Sequence, residues 1–350
     1  MTRPALDLAL LAPLTVDRQA HRREDVDLTA VDAILVREGH LWARGDRLVR
    51  LAPEHQPAAA LRMFLGYDRG TAVGALVPDA SFAGVDSVDS VDSVAGVEGV
   101  DRADDAAGQW TGLRDFLGEV TRRSVFDAHQ TRERGDHGER QVEPERGSEP
   151  ERGSEVEREL AVTAVALSTW HANHPRCSMC GELTVPRSGG WVRYCEHDQR
   201  EHYPRTDPAV IVAITDRQDR LLLAHASYWS PRRYSHLAGY VEPGESLEQA
   251  VHREVAEEAS LRVRDVAYVG SQPWPFPASM MVAFTAVADD PSFSLDQQEI
   301  TDAMWVTREQ LTTQLRAGTV IAPPLGSIAR RMMEAWFKGA LPSPSSPERT

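Results

Sequence analysis

The rhythm of apolar positions changes along the chain, and each change predicts a different kind of structure. Over residues 31–80 short apolar runs alternate with turn residues in "AILV", "LWARGDRLVRL" and "RMFLGYDRGTAVGALVP". Breaks at Gly45-Asp46 and at Asp68-Arg69-Gly70 predict β-hairpins. Helical spacing takes over in "QWTGLRDFLGEV" (109–120), where Trp110, Leu113, Leu117 and Val120 share a face, and in "RELAVTAVALSTWHANH" (158–174). From Ala209 strands and helices mix. "AVIVAITD", "RLLLAHAS", "VAYVGSQ" and "MMVAFTAVA" read as strands, a helix follows Ser246, and two more are expected near 308–316 and 326–338.

Two tracts carry neither period. "VDSVDSVDSVAGVEGVD" (85–101) repeats every three residues, and "PERGSE" occurs at 144–149 and again at 150–155. Their shortage of large apolar side chains predicts disorder, with an acidic partner-binding tail as the alternative. The plan is therefore a β-rich N-terminal domain at 1–125 with a low-complexity insertion at 83–108, and a disordered insertion at 126–157. A helix with a cysteine-rich segment follows at 158–205, then an α/β domain at 206–340 and a disordered tail at 341–350.

Composition narrows the function. A chain of 350 residues with 41% hydrophobic content suits two or three domains with buried cores. It holds no unbroken apolar run of about 18 residues, so no spanning helix is expected. "LDLALLAPLTV" is interrupted by Asp7 and Pro13 and lacks a basic start, so it reads as folded structure and not as a signal peptide. A net charge of −15 argues against a broad basic surface for bulk nucleic acid. Cys177, Cys180 and Cys195 crowd into one short segment, which points to a metal site in a reducing, cytoplasmic setting.

That segment has the layout of a zinc ribbon. "CSMC" (177–180) and "CEHD" (195–198), with Gly189-Gly190 between them, each form a knuckle offering ligands to one tetrahedral ion. Asp198 stands where a fourth cysteine would be and is the first choice of ligand by spacing. His197 is the second choice, and His202 lies shortly beyond. A ribbon that packs without metal is the alternative. A closed four-ligand site would be structural, with no position open for catalytic water.

A second cluster lies in "GYVEPGESLEQAVHREVAEEASL" (239–261). Ser246 and Gln249 form a capping-box signature, and Leu247, Val251 and Val255 make a packing stripe. Glu254, Glu257 and Glu258 fall at i, i+3 and i+4 beside that stripe, where like charges repel. Arg253 is the only cation nearby, so the carboxylates read as lacking cationic relief. Divalent ions such as Mg²⁺ or Mn²⁺ would supply it. An acidic solvent-facing helix is the alternative.

The whole stretch resembles the Nudix box, G-x5-E-x7-R-E-U-x-E-E-x-G-U with U apolar. Only Ser260 departs, standing where the family has the glycine that ends the helix in a left-handed turn. "SQPWPFPAS" (271–279) resembles a signature of the NADH pyrophosphatase family of Nudix hydrolases, although three prolines and two aromatics would also suit an edge loop. "HYPRTDPAVI" (202–211), "EITDAMW" (299–305) and the zinc ribbon fit the same family plan. The resemblance covers roughly 160–338 and, more loosely, 31–80. It implies an α/β/α sandwich with a mixed sheet behind the N-terminal β-rich domain and the ribbon.

Carried over by motif position, the resemblance implies that Glu254, Glu257, Glu258 and Glu299 bind Mg²⁺ or Mn²⁺ and carry catalysis, with the identity of the base left open. It implies that Tyr240 stacks on the nicotinamide ring and that Tyr203 supplies a second aromatic wall across a homodimer. Gln272 and Ser279 would make polar contacts to the dinucleotide and Ala329 a backbone contact, while Arg253 with Glu245 would fix the loop–helix–loop. The implied reaction is hydrolysis of NADH or NAD⁺ to the nicotinamide mononucleotide and AMP. Removal of an NAD cap from RNA by the same chemistry, hydrolysis of another nucleoside diphosphate such as ADP-ribose, and a non-enzymatic zinc-ribbon scaffold are the alternatives.

Overall fold

The structure, a computed structural model, describes residues 15–79, 108–122 and 149–344, with side chains in the last stretch from Glu155 onward. The repeat at 85–101, residues 126–148 of the second insertion, residues 345–350 and all of "LDLALLAPLTV" but Thr15 and Val16 lie outside the described residues. The described chain divides into two compact units, 15–205 and 206–344.

The first unit is built on the expected hairpins. Its strands are β1 (Asp32–Arg37), β2 (His40–Arg44), β3 (Arg47–Leu48), β4 (Arg50–Leu51), β5 (Ala59–Asp68), β6 (Thr71–Pro78) and β7 (Gln109–Gly112). The sheet order is β3-β2-β1-β6-β5, with β4 on β1 and β7 on β2. β5 and β6 turn through Arg69 and Gly70, both at positive φ (49° and 84°). That handedness matches the twist of the flanking strands. The run 109–120 is not one helix. Trp110 pairs with Trp42 across β2 and β7, their rings edge-to-face at 5.4 Å, and helix α1 begins only at 113, with 113–122 described. Cross-strand aromatic packing outweighs the helical spacing of Trp110.

Helix α2 runs Glu149–Asn173, so the backbone of residues 149–157 is helical where disorder was expected. Its acidic residues have structural work. Glu159 accepts the main-chain N–H groups of Thr15 and Val16, both at 2.8 Å, and Glu157 accepts that of Leu48 at 2.6 Å. These carboxylates satisfy backbone donors far away in sequence, which composition does not reveal.

The ribbon is a three-stranded antiparallel sheet of β8 (Val185–Arg187), β9 (Val192–Cys195) and β10 (Arg200–His202). It belongs to the same unit as β1–β7. Gly190 is at φ +81°, and a Cβ there would meet Met63 Cγ at 2.8 Å, so only glycine fits. The Trp191 indole N–H donates to the Phe64 carbonyl at 2.7 Å. Behind the ribbon, buried Arg193 donates to Thr184 Oγ1 (2.7 Å) and to His171 Nδ1 (2.8 Å), while His171 Nε2–H donates to the Gly190 carbonyl (2.8 Å). Burial, with Arg193 adding to it, pushes the His171 pKa down to about 4, so the ring is neutral and can accept from Arg193.

The second unit is a six-stranded mixed sheet between two helical layers. Its strands are β11 (Asp207–Thr215), β12 (Leu221–Ala226), β13 (Leu237–Tyr240), β14 (Val263–Trp274), β15 (Ser279–Ala288) and β16 (Ile300–Val306). The order is β14-β15-β11-β12-β16 with β13 on β11, and only β11 and β15 run parallel among these pairs. Alternation along β11 sorts the two cores. Val210, Val212 and Ile214 join helix α3 (Leu247–Ala259) through Val251 and Val255. Ile211 and Ala213 join α4 (Arg308–Arg316) and α5 (Ile328–Phe337) through Leu311, Met332 and Met333. The expected α/β/α sandwich is present. No helix among the described residues is long and apolar enough to cross a membrane.

Candidate active site

Helix α3 starts as its sequence directs. Ser246 accepts the Gln249 N–H and the Gln249 side chain accepts the Ser246 N–H, a complete capping box. It ends at Ser260, which takes the left-handed conformation at φ 53°, ψ 27° that a glycine adopts more cheaply. The cost is about 1 kcal/mol, and the helix still closes through the Ser260 N–H on Ala256 O.

Within that frame the glutamates differ. Glu254 and Glu258 are buried, at 8% and 5% exposure, and Glu257 faces solvent. Arg253 alters the expectation of unrelieved charge. Its guanidinium reaches Glu245 (2.6 Å), Glu254 (2.9 Å) and Glu257 (3.1 Å) and donates to the Tyr240 carbonyl (2.8 Å). One cation therefore ties the turn, the strand end and the helix, and Glu257 at i+4 is part of its grip. It does not reach Glu258.

Burial, then the charges of Glu254, Glu299 and Asp296, push the Glu258 pKa up to about 8. Glu258 Oε2 is buried with no hydrogen-bond partner. An orphaned carboxylate oxygen among further carboxylates is the environment a hard divalent cation satisfies. Glu254 is raised by burial, with Arg253 opposing, whereas the Arg253 hydrogen bond holds Glu245 low. Gly239 is explained by the same packing, because a Cβ there would fall on the Glu254 carboxylate.

Glu299 joins this group from the residue immediately before β16. Sequence reading missed the residue that orients it. Asp296 accepts the main-chain N–H groups of Glu299 and Ile300, each at 3.0 Å. An Asp followed by free N–H groups three and four residues later is the available signal, though a weak one.

The other expected site residues divide. Tyr240, at the end of β13, is 52% exposed, and its hydroxyl meets Ser279 Oγ at 3.2 Å, so these two come together. Gln272 is buried and donates to Gly326 O while accepting the Ile328 N–H, both at 2.7 Å. It fixes the segment leading into α5. The Ala329 carbonyl receives His236 Nε2–H at 3.1 Å. "SQPWPFPAS" forms the end of β14 and the turn into β15, with Trp274 and Phe276 edge-to-face at 5.0 Å. Tyr203 belongs to the first unit, 65% exposed, and its hydroxyl donates to Glu201.

In the ribbon, one ligand atom from each of Cys177, Cys180, Cys195 and Asp198 lies within 4.8 Å of the others. Cys180 and Cys195 sulfurs are 3.6 Å apart, and Cys177 Sγ is 3.2 Å from Asp198 Oδ2. Zn–S bonds of about 2.3 Å in a tetrahedron place ligands roughly 3.8 Å apart, so the cluster fits zinc. The three thiols are free, and the Asp198 N–H points at Cys195 Sγ (3.4 Å), which lowers that thiol's pKa. His197 lies outside the cluster, exposed, with Nδ1 3.3 Å from Asp198 Oδ1.

Two known domain families match the segments that hold these residues. The NUDIX domain model matches residues 205–325. This chain carries a Nudix domain. The NADH pyrophosphatase zinc ribbon domain matches 172–203, immediately before it. The chain is similar to the NAD-capped RNA hydrolase NudC of Mycobacterium bovis (strain BCG / Pasteur 1173P2). The two are 44% identical over 187 residues, covering 51% of this chain and 60% of that protein. The namesake from Pseudomonas syringae pv. syringae (strain B728a) is 41% identical, covering 53% and 64%. The chain thus spans less than two thirds of the length of these relatives. A solved NUDIX hydrolase from Nitrosomonas europaea is 20% identical with a TM-score of 0.37, covering 47% of this chain and 94% of that one. The matched segment covers β11–β16, α3 and α4 of the α/β/α unit, with α5 beyond it, and contains all four candidate catalytic glutamates.

Proposed function

We propose that this chain hydrolyses the pyrophosphate of NAD(H), giving the nicotinamide mononucleotide and AMP. The observation that carries the reading is the buried, partnerless Glu258 oxygen amid Glu254, Glu299 and Asp296. Glu254, Glu257, Glu258 and Glu299 would hold Mg²⁺ or Mn²⁺, which when bound supplies Lewis-acid polarisation of a phosphoryl oxygen and a more acidic water. Arg253 keeps Glu254 and Glu257 in place and fixes the Tyr240 backbone. Tyr240 offers its ring to the nicotinamide, with Ser279 steering the phenol. Water adds to one phosphorus and the bridging oxygen leaves with the other phosphate, so one mononucleotide departs from each side.

Removal of an NAD cap from RNA is the same reaction with a chain attached to the adenosine, and the relatives' name supports it. Zinc held by Cys177, Cys180, Cys195 and Asp198 would be structural, and the free thiols suit a reducing, cytoplasmic setting. A homodimer would bring Tyr203 of a second copy to the nicotinamide. The deciding experiment is product analysis with NADH, NAD⁺, ADP-ribose and NAD-capped RNA in Mg²⁺ and in Mn²⁺. Release of AMP from NADH or of 5′-phosphorylated RNA is expected. Turnover of ADP-ribose alone would overturn the reading.

A further inference from the structure

A dinucleotide pyrophosphate carries a planar base at each end, one ribose away from each phosphorus. A carboxylate cluster that grips the pyrophosphate therefore needs two flat surfaces, one on either side. Tyr240 is one. It follows Gly239, whose backbone abuts the Glu254 carboxylate. The other end of the cluster has a counterpart. The Ser227 N–H donates to the Glu299 carbonyl at 2.8 Å, and the next residue, Tyr228, is 80% exposed, the most of any large apolar side chain among the described residues.

We propose that Tyr228, backed by Trp229, is the stacking platform for the adenine of the dinucleotide. The proposal rests on the pyrophosphatase reading above and deepens it. Trp229 packs on the same apolar cluster as α3, which places this loop on the glutamate side of the sheet. Tyr228 meets Trp229 edge-to-face, with ring centroids 6.0 Å apart, so the contact uses an edge and spares a tyrosine face. The Arg233 guanidinium lies over the Trp229 ring at 5.1 Å, occupying that surface and setting a positive charge beside the platform.

The loop is tied down. The Trp229 N–H donates to Ala226 O (3.0 Å), the Tyr234 N–H to Ile321 O (3.1 Å), and the Tyr234 hydroxyl to Asp302 on β16. A rigid ring held bare in water at the edge of a metal-binding cluster is poor packing and a ready surface for a base. Its openness also suits a capped RNA, whose chain continues from the adenosine and would be blocked by a closed pocket.

The test uses the full chain with Mg²⁺, titrated with AMP and with nicotinamide mononucleotide by calorimetry, alongside product inhibition of NADH hydrolysis. Tyr228→Ala is expected to weaken AMP about tenfold or more while nicotinamide mononucleotide binding stays within about twofold. Tyr240→Ala should show the reverse pattern, and Tyr228→Phe should bind AMP like the wild type because the ring remains. Tyr228 is exposed, so a thermal melt matching the wild type is expected and excludes a folding defect. AMP affinity unchanged in Tyr228→Ala, or equal losses of both mononucleotides, overturns the platform. A wild-type chain that hydrolyses no NADH defeats the pyrophosphatase reading separately, and the AMP titration still decides the platform.

Discussion

Gly239→Ala is expected to disable the site while leaving the fold nearly intact. Gly239 has no positive φ, so alanine suits its backbone, and removing glycine restricts the unfolded chain, worth about 0.4–1 kcal/mol of stability. Against this, the new methyl group would fall on the Glu254 carboxylate. To restore a carbon separation of about 3.5 Å, that carboxylate must retreat by roughly 1.5 Å. The retreat strains or breaks its 2.9 Å bond to Arg253. Overpacking of this kind costs about 1–3 kcal/mol, so the net loss is about 0–2.6 kcal/mol, or a fall in Tm of at most roughly 10 °C for a domain of this size. Displacing a metal-binding group by about 1 Å typically costs on the order of 100-fold in rate. The assay is initial rate of NADH hydrolysis in Mg²⁺ and in Mn²⁺, with a melt on the same sample. Activity within about threefold of wild type would refute the close approach of Gly239 to Glu254. Loss of folding would show that the carboxylate cannot move.

Other changes separate the remaining roles. Glu258→Gln should stay folded and lose turnover by orders of magnitude, because it removes a buried carboxylate whose Oε2 has no hydrogen-bond partner; near-normal Mg²⁺-dependent NADH hydrolysis would sink its assignment. Tyr240→Phe keeps the ring and loses the bond to Ser279, so KM for NADH should rise only a few-fold, whereas Tyr240→Ala should raise it about tenfold or more with ADP-ribose less affected. Elemental analysis should find one zinc per chain, lost in Asp198→Ala and retained in His197→Ala; the opposite pattern would transfer the fourth ligand to His197. Deleting 85–101 alone should leave thermal stability and NADH turnover almost unchanged, whereas removing 149–155, which shortens α2, should lower the melting temperature measured by calorimetry.

The Nudix domain was legible because its chemistry is local. The capping box, the stripe of Val251 and Val255 and the left-handed stop at Ser260 all depend on neighbours within a few residues. The ribbon was legible for the same reason, since each knuckle is set by the turn that holds it. Legibility failed where a distant partner decided the outcome. Trp110 looked helical until Trp42 paired with it. The acidic start of α2 looked unable to fold until Glu157 met the main-chain N–H of Leu48.

The glutamate cluster shows how far residue identity carries an argument and where geometry must take over. The four glutamates at the defining positions of the box are chemically alike, and spacing alone made three of them a repelling set. Arg253 breaks that equivalence. It lowers Glu245, grips Glu254 and Glu257, and leaves Glu258 untouched in the driest position. The carboxylates are thus compensated at the solvent edge and left without a cation at the buried end, where burial and the charges of Glu254, Glu299 and Asp296 push the Glu258 pKa up to about 8. A single arginine at the mouth stiffens the helix and turn without neutralising the interior. The carboxylates that lack a cation are concentrated where a divalent ion would gain most by replacing a proton, since Coulomb attraction strengthens as water is excluded.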